Sequence, residues 1–327
     1  MKFGIIGTNF VSDFFMNSAQ HIEELEVVAV CSGTRENAEK FAEKYNIPHV
    51  FSDYQEMADK NLIDVAYVAV PNSLHHDISI YYLEKGIHVL CEKPFASNYK
   101  EVVNMFEVAK KNNVFIMEAI IPVQTPNFKV LKQSLGDLGT IRRAVLAYGK
   151  YSSRYDAYRA GNIMNAFKNE LSNGSVMDIG IYCLYDAIAL FGKPTSVQAN
   201  AVMLESGVDG LGSAILSYPD KEVILLHSKI TDMPVMIDIE GEDGTLTFEG
   251  ISQPKNIVIT PRNGEAYNVS VETEYPAMYY EIVDFINCVK EGRYDSEFAS
   301  RQLAEDVHEV LTIIRKEMGL SFPADKE

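Results

Sequence analysis

Short apolar runs alternate with amphipathic stretches through the first 120 residues. KFGII (2–6) leads into a helical pattern from about Val11, EVVAVCS (26–32) into RENAEKFAEKY (35–45), and DVAYVAV (64–70) into SLHHDISIYYLEKG (73–86). HVLCEK (88–93), a helix over 97–112 and VFIMEA (114–119) complete the series. In RENAEKFAEKY the apolar residues Ala38, Phe41, Ala42 and Tyr45 recur at three- and four-residue spacing, one face of a helix. The runs between helices are apolar throughout, as strands buried on both faces are. This half predicts an α/β fold, a parallel sheet with helices on both faces and right-handed crossovers.

Past residue 120 the rhythm changes. PNFKVLKQSLG (126–136) and the stretch 173–191 read as helices. Around them lie longer runs: IRRAVLAYG, SVQANAVM, GSAILSY, EVILLHSKI, VMIDIEG, TLTFEG and NIVIT. Turn residues such as Gly241-Glu242-Asp243-Gly244 and Arg262-Asn263-Gly264 punctuate them. The pattern predicts an α+β domain with a large, mostly antiparallel open sheet, closed by helices near 276–291 and 297–318. The expected division is 1–120 and 121–327, with no linker between and a site where the two meet.

The chain of 327 residues suffices for two cores. Its net charge of −17 argues against nucleic acid and anionic membranes, which bind through lysine and arginine. Cys31, Cys91, Cys183 and Cys288 are far apart and lack paired spacing, so reduced thiols are expected, with no disulfide or metal site. No apolar run is read as long enough for a membrane span, and the opening strand leaves no room for a signal peptide. The expected compartment is the cytoplasm.

The first strand ends in Gly7-Thr8-Asn9-Phe10-Val11-Ser12, where a dinucleotide-binding turn has three glycines. Gly7 keeps the first role; Asn9 and Ser12 stand at the second and third. Asn tolerates a left-handed backbone and Ser is small, so the turn remains feasible as a Rossmann phosphate site at a helix N-terminus. After the second strand come Ser32, Gly33, Thr34 and Arg35, with no acid before Glu36. An acid there binds the ribose 2′-hydroxyl of NAD, whereas hydroxyls and an arginine suit a 2′-phosphate, so NADP is favoured and NAD stays open. The alternative is that Arg35 simply begins a solvated helix.

Pro71-Asn72-Ser73-Leu74-His75 and Gly86-Ile87-His88-Val89-Leu90-Cys91-Glu92-Lys93-Pro94 resemble two signatures of the Gfo/Idh/MocA oxidoreductases. Met117-Glu118-Ala119 is similar to their next strand, and the segment from Gly174 through Asp178 and Gly180 to Tyr182 to their substrate-domain helix. The resemblance covers nearly the whole chain in order. Tyr182, where many members carry His, brings it nearest the branch of dimeric dihydrodiol dehydrogenase and glucose–fructose oxidoreductase. It departs from the pattern in the two lost glycines, in Asn173-Gly174-Ser175 for a glycine run, and in Tyr185, followed by Asp186, where an aspartate is usual. The resemblance implies an NAD(P)-dependent enzyme acting on a secondary alcohol or ketone of a sugar, cyclitol or dihydrodiol. It also implies Gly7, Thr8, Asn9, Phe10, Ser32, Thr34, Arg35, Pro71, Asn72, Glu92 and Lys93 at the cofactor, with His75 lining the nicotinamide pocket.

The chemistry asks for a base on the hydroxyl proton while hydride leaves carbon. Lys93 ends a parallel strand at its carboxyl edge, where such sheets bind ligands, and Pro94 turns the chain there. Asp178 and Tyr182, four apart on a helix, share a face. A nearby lysine cation lowers a tyrosine's pKa. The expected roles are therefore Tyr182 as proton carrier, Lys93 as electrostatic partner and Asp178 as orienting acceptor. Arg154, Tyr155 and Asn165, in the polar loop before that helix, are candidates for substrate hydroxyls or for plain surface roles. His76 is read as solvent-facing and Glu92 also as a structural hydrogen-bonding group. Two other readings stay open: a retained-cofactor catalyst of redox-driven elimination, and a non-catalytic dinucleotide-binding regulator. An uncovered sheet face in the second half predicts a homodimer or larger homo-oligomer.

Overall fold

A computed structural model describes residues 1–234 and 237–326; Val235 and Met236, the first two positions of the predicted run VMIDIEG, lie outside the described residues. The described chain divides into two units. The first begins β1 (Lys2–Ile6), α1 (Phe10–Ala19), β2 (Glu26–Cys31), α2 (Arg35–Tyr45), β3 (His49–Phe51) and α3 (Tyr54–Asp59). It continues β4 (Val65–Val68), α4 (His75–Glu84), β5 (His88–Glu92), α5 (Tyr99–Lys111) and β6 (Ile116–Ala119). These strands form one parallel sheet in the order β3-β2-β1-β4-β5-β6, with Tyr67 of β4 opposite Ile5 of β1 and Leu90 of β5. This is the doubly wound order, and it reverses direction beside β1. β3 and α3 left no pattern in the sequence because each is too short to show a period.

The second unit holds α6 (Pro126–Ser134), β7 (Ile141–Gly149), α7 (Tyr155–Arg159), α8 (Ile181–Phe191), β8 (Ser196–Met203), β9 (Asp209–Ser217) and β10 (Glu222–Ser228). β11 (Ile237–Gly241), β12 (Gly244–Glu249), β13 (Lys255–Pro261) and β14 (Tyr267–Asn268) follow. The sheet runs β14-β13-β12-β11-β7-β10-β9-β8, antiparallel except where β7 and β10 run side by side in parallel. α8 packs on β7 and β10. Against the expectation of no membrane-length run, Asn169–Phe191 is apolar and long enough to cross one (23 residues, mean hydropathy 1.4), but 67% of its apolar window is buried in the fold. Its apolarity serves the core.

The division corrects the expected boundary near the C-terminus. Glu274–Ala304, with α9 (Ala277–Lys290), belongs to the first unit, and most of α10 (Arg301–Glu317) to the second. α9 lies on α1, where Phe285 packs against Phe3 and Phe115 with ring centroids 6.3 and 5.2 Å apart. Burying a ring of that size contributes about 1.5–3 kcal/mol, enough to draw a distant helix back.

Candidate active site

In the first unit the phosphate turn is built without its later glycines. Gly7 has φ of +105°, and a Cβ there would collide with the Ala69 carbonyl, so only glycine fits. Its N–H donates to Cys31 O at 2.9 Å, joining β1 to β2. Asn9 does not use the left-handed freedom its residue type offers: its φ is −88°. Instead its carboxamide oxygen accepts from Val11 N at 2.9 Å, capping α1, while its Nδ2 donates to Ala69 O at 2.9 Å. Ser12, wholly buried, donates to Gly7 O at 2.8 Å, so both replacements tighten the turn. Thr8 and Ser32 share a hydroxyl hydrogen bond at 2.9 Å between the ends of β1 and β2. Phe10 begins α1 and is 55% exposed.

Thr34 caps α2 through Asn37 N, and Arg35 opens that helix, paired with exposed Glu39 at 2.9 Å. Such a pair is worth a few tenths of a kcal/mol, so an anion can take the guanidinium from it. Arg35 thus begins a solvated helix and also presents a cation beyond β2. Together the blocked Gly7, the capped α1 and Arg35, with no acid between the end of β2 and Glu36, fit a dinucleotide with a 2′-phosphate.

Lys93, half-buried, follows β5 directly, and its peptide bond to Pro94 is cis. Two buried side chains hold the turn. His75 contacts Pro94 O through Nδ1 at 2.8 Å and Val70 O through Nε2 at 2.9 Å, and Glu118 accepts from Phe95 N at 3.0 Å. His75 is expected to line the nicotinamide pocket, but it is only 1% exposed: the neutral ring donates to one of these two carbonyls and braces the lysine turn. Burial holds its pKa down against the pull of those carbonyls. Pro71 and Asn72 stand half-buried at the turn into α4. His76 lies at the surface, partly exposed, with its Nε2 2.9 Å from Asn104 Oδ1 and its Nδ1 2.8 Å from Asp77 Oδ1.

Glu92 is likewise corrected as a cofactor contact. Its carboxylate turns into the unit, accepting from Tyr67 at 2.5 Å, with Glu281 of α9 buried nearby. Burial pushes Glu92 up to about 7 and Glu281 well above the carboxylate range.

In the second unit Asp178 sits in a π-helical turn, Val176–Gly180, and Tyr182 is the second residue of α8. Such turns are rare and concentrate at functional sites. The half-buried Tyr182 ring lies 5.9 Å from that of Tyr148 on β7. Below the turn, Asp209 accepts from Val176 N at 2.8 Å, and His227 meets Ser175 Oγ at 2.9 Å. Burial lowers His227 to about 3 and raises Asp209 to about 6. Gly174, with φ of +141°, leaves room for the Asp209 carboxylate. Asp186 is completely buried, and burial pushes its carboxyl well above the usual range.

The loop candidates part company. Tyr155 packs among Tyr151, Tyr158 and Phe167, with centroids 5.3–5.7 Å apart around that cluster. Asn165 is exposed and receives Asn173 Nδ2 on its carbonyl at 2.8 Å. Arg154 is half-buried, its N–H on Ser152 Oγ at 3.3 Å. The sequence reading passed over Lys229, which forms an ion pair with Asp178 Oδ2 at 2.6 Å while only 4% exposed. The signal was present in EVILLHSKI: Val223, Leu225, His227 and Lys229 alternate on one parity, and the last two are polar on the buried side.

A doubly wound dinucleotide-binding sheet, with a lysine turn at the carboxyl end of β5, defines a nicotinamide-dependent oxidoreductase. Residues 1–120 match the oxidoreductase family with an NAD-binding Rossmann fold, and residues 133–247 match the GFO/IDH/MocA C-terminal domain. The chain belongs to the Gfo/Idh/MocA family. It is 46% identical over 326 residues to scyllo-inositol 2-dehydrogenase (NADP(+)) IolU of Bacillus subtilis, covering 100% of this chain and 99% of that one. It is 29% identical to trans-1,2-dihydrobenzene-1,2-diol dehydrogenase of Mus musculus, with 100% and 99% covered. Its fold is similar to that of KijD10, a 3-ketoreductase from Actinomadura kijaniata in complex with NADP and TDP-benzene, at a TM-score of 0.85, 20% identity and coverage of 97% and 98%.

Proposed function

We propose that the chain is an NADP-dependent dehydrogenase acting on a secondary alcohol of a cyclitol or related sugar, with Lys93, Asp178 and Tyr182 as its working residues. The observation that carries this reading is the lysine turn, fixed by two buried side chains, on a chain whose inositol dehydrogenase relative spans its full length. Dihydrodiols are the second substrate class, supported by the dihydrodiol dehydrogenase relatives. Gly7, Thr8, Asn9 and Phe10 hold the pyrophosphate, and Ser32, Thr34 and Arg35 the 2′-phosphate. The carboxylate that Arg35 would give up is exposed, which supports NADP over NAD.

When bound, the nicotinamide supplies the hydride acceptor or donor. The Lys93 ammonium donates to the substrate oxygen and stabilises it as its proton leaves. Tyr182 takes that proton as the phenolate in oxidation, becoming the phenol, and gives it back from the phenol in reduction. Asp178 accepts from the substrate or from Tyr182, fixing the orientation. Asn165 and Arg154 reach further hydroxyls, whereas Tyr155 shapes the loop.

A panel of inositols, aldoses and trans-dihydrodiols, read at the nicotinamide absorbance band with NADP and with NAD, tests this. NADP-linked oxidation of at least one cyclitol is expected. Substrate loss without net nicotinamide change would replace the reading with redox-driven elimination, and cofactor binding without turnover would replace it with a regulator.

The proposal extends to a homodimer through the sheet of the second unit. Val202 and Met203 of β8 and Ile215 of β9 are 50%, 39% and 38% exposed, an apolar set on a sheet surface. Sedimentation at micromolar concentration as a monomer would overturn it. Four buried thiols, free of disulfides, suit a reducing compartment and the cytoplasm, which fractionation of the source cells checks.

A further inference from the structure

Lys229 ties together three pieces of the second unit. It follows β10 directly, its own N–H donating to Gly210 O at 2.9 Å. Its Nζ lies 2.6 Å from Asp178 Oδ2, 3.3 Å from Ala166 O and 5.2 Å from the centre of the Phe167 ring. The first contact is in the π-helical turn. The other two are in the short turn Asn165–Phe167, which begins with a substrate-binding candidate. The cation is buried while the Asp178 side chain keeps 37% of its exposure, so the ammonium holds the carboxylate from behind.

We propose that Lys229 is the positioning residue of this active site, locking the Asp178 carboxylate and the Asn165 turn in one fixed arrangement through its buried ammonium.

The argument rests on the reading of Asp178 as a working residue. A buried ammonium is costly unless paired, and here one carboxylate, one carbonyl and one ring face satisfy it. Removing the charge releases both contacts at once. The neighbours cannot substitute. His227, two residues earlier on the same parity, is held neutral by burial and is bonded to Ser175. Asp209 is engaged by the N–H of Val176. Neither supplies a cation to Asp178. An active site whose acceptor drifts by about 1 Å loses roughly 100-fold in rate, which sets the expected scale.

The test compares Lys229→Gln, Lys229→Met, Asp178→Asn and the double variant Asp178→Asn/Lys229→Met, in the full chain with NADP and the best polyol of the panel. Expected is a fall in kcat of about 100-fold for either Lys229 variant, with KM for NADP unchanged, because the dinucleotide residues lie elsewhere. Asp178→Asn falls similarly, and the double variant falls no further than the singles, since one unit has been broken twice. The double variant removes both charges, so it remains readable where Lys229→Met alone fails to fold. Wild-type kcat in Lys229→Gln, or a double variant whose loss is the product of the single losses, overturns the inference. Full turnover in Asp178→Asn overturns the role given to Asp178 instead. If the wild type turns over no polyol, hydrogen–deuterium exchange still decides: Lys229→Gln is expected to speed exchange in both 165–167 and 176–180, and unchanged protection in both overturns the lock.

Discussion

Tyr67 donates its hydroxyl to Glu92 Oε1 at 2.5 Å inside the first unit, one residue before the lysine turn. The carboxylate it reaches shares its surroundings with Glu281, which is 1% exposed and whose two oxygens have no hydrogen-bond partner among the described residues. Two buried carboxyls so placed cannot both ionise cheaply.

The pH consequence has a definite sign. Glu92 is raised from an ordinary 4.5 to about 7, so across that window the folded chain binds more protons than the unfolded one. Its stability therefore falls as pH rises from 4.5 to 7, and Glu281, also raised, acts in the same direction. Glu281→Gln is expected to raise the Tm by about 2–4 °C or more near pH 8, with the gain shrinking toward about pH 4. Thermal melts of both proteins across that range check it; an equal shift at every pH would sink the explanation.

Lys93→Met should lower kcat by about 10²–10⁴-fold, the range for losing a group that acts on the transferred proton. NADP affinity should barely change, because His75 and Glu118 hold the main chain of the turn. Stopped-flow turnover and a fluorescence titration with NADPH separate the two quantities.

Arg35→Ala should raise KM for NADP by about 10- to 100-fold and leave that for NAD nearly unchanged, the worth of one charge-assisted hydrogen bond to phosphate. The lost pair with Glu39 is exposed and costs little. Parallel kinetics with the two cofactors decide it, and equal losses with both would place Arg35 outside the cofactor site.

Gly7→Ala should weaken NADP binding at least about tenfold, because a positive φ costs a side chain about 1–3 kcal/mol before any collision is counted. Here the new Cβ also runs into Ala69 O, the acceptor of Asn9. Calorimetric titration with NADP measures the loss; unchanged affinity would mean that this turn does not hold the pyrophosphate.

The parallel half was readable because each strand is a continuous apolar run and each helix has a clear period; β5 and β6 fall within HVLCEK and VFIMEA. β3, three residues long, gave no such signal. Lys93, Asp178 and Tyr182 stood out through their neighbours in the chain, such as Pro94 and Gly180. The residues that hold them are less visible, because holding is done across the fold. Glu118 reaches Phe95 over 23 positions, and Lys229 reaches Asp178 over 51. Asn9 was judged by the backbone freedom of its residue type, yet its work is done by its side chain. The return of α9 to the first unit was hidden for a related reason: Phe285 is a plain apolar helix residue until Phe3 and Phe115 are brought beside it.

The π-helical turn at Val176–Gly180 makes the helix frame itself a determinant of the site. A wide turn accommodates one residue more than an ordinary one, and ordinary helix advances about 100° per residue. Deleting a single residue there would close the turn and change how Asp178 is presented relative to Tyr182, leaving the composition of α8 intact.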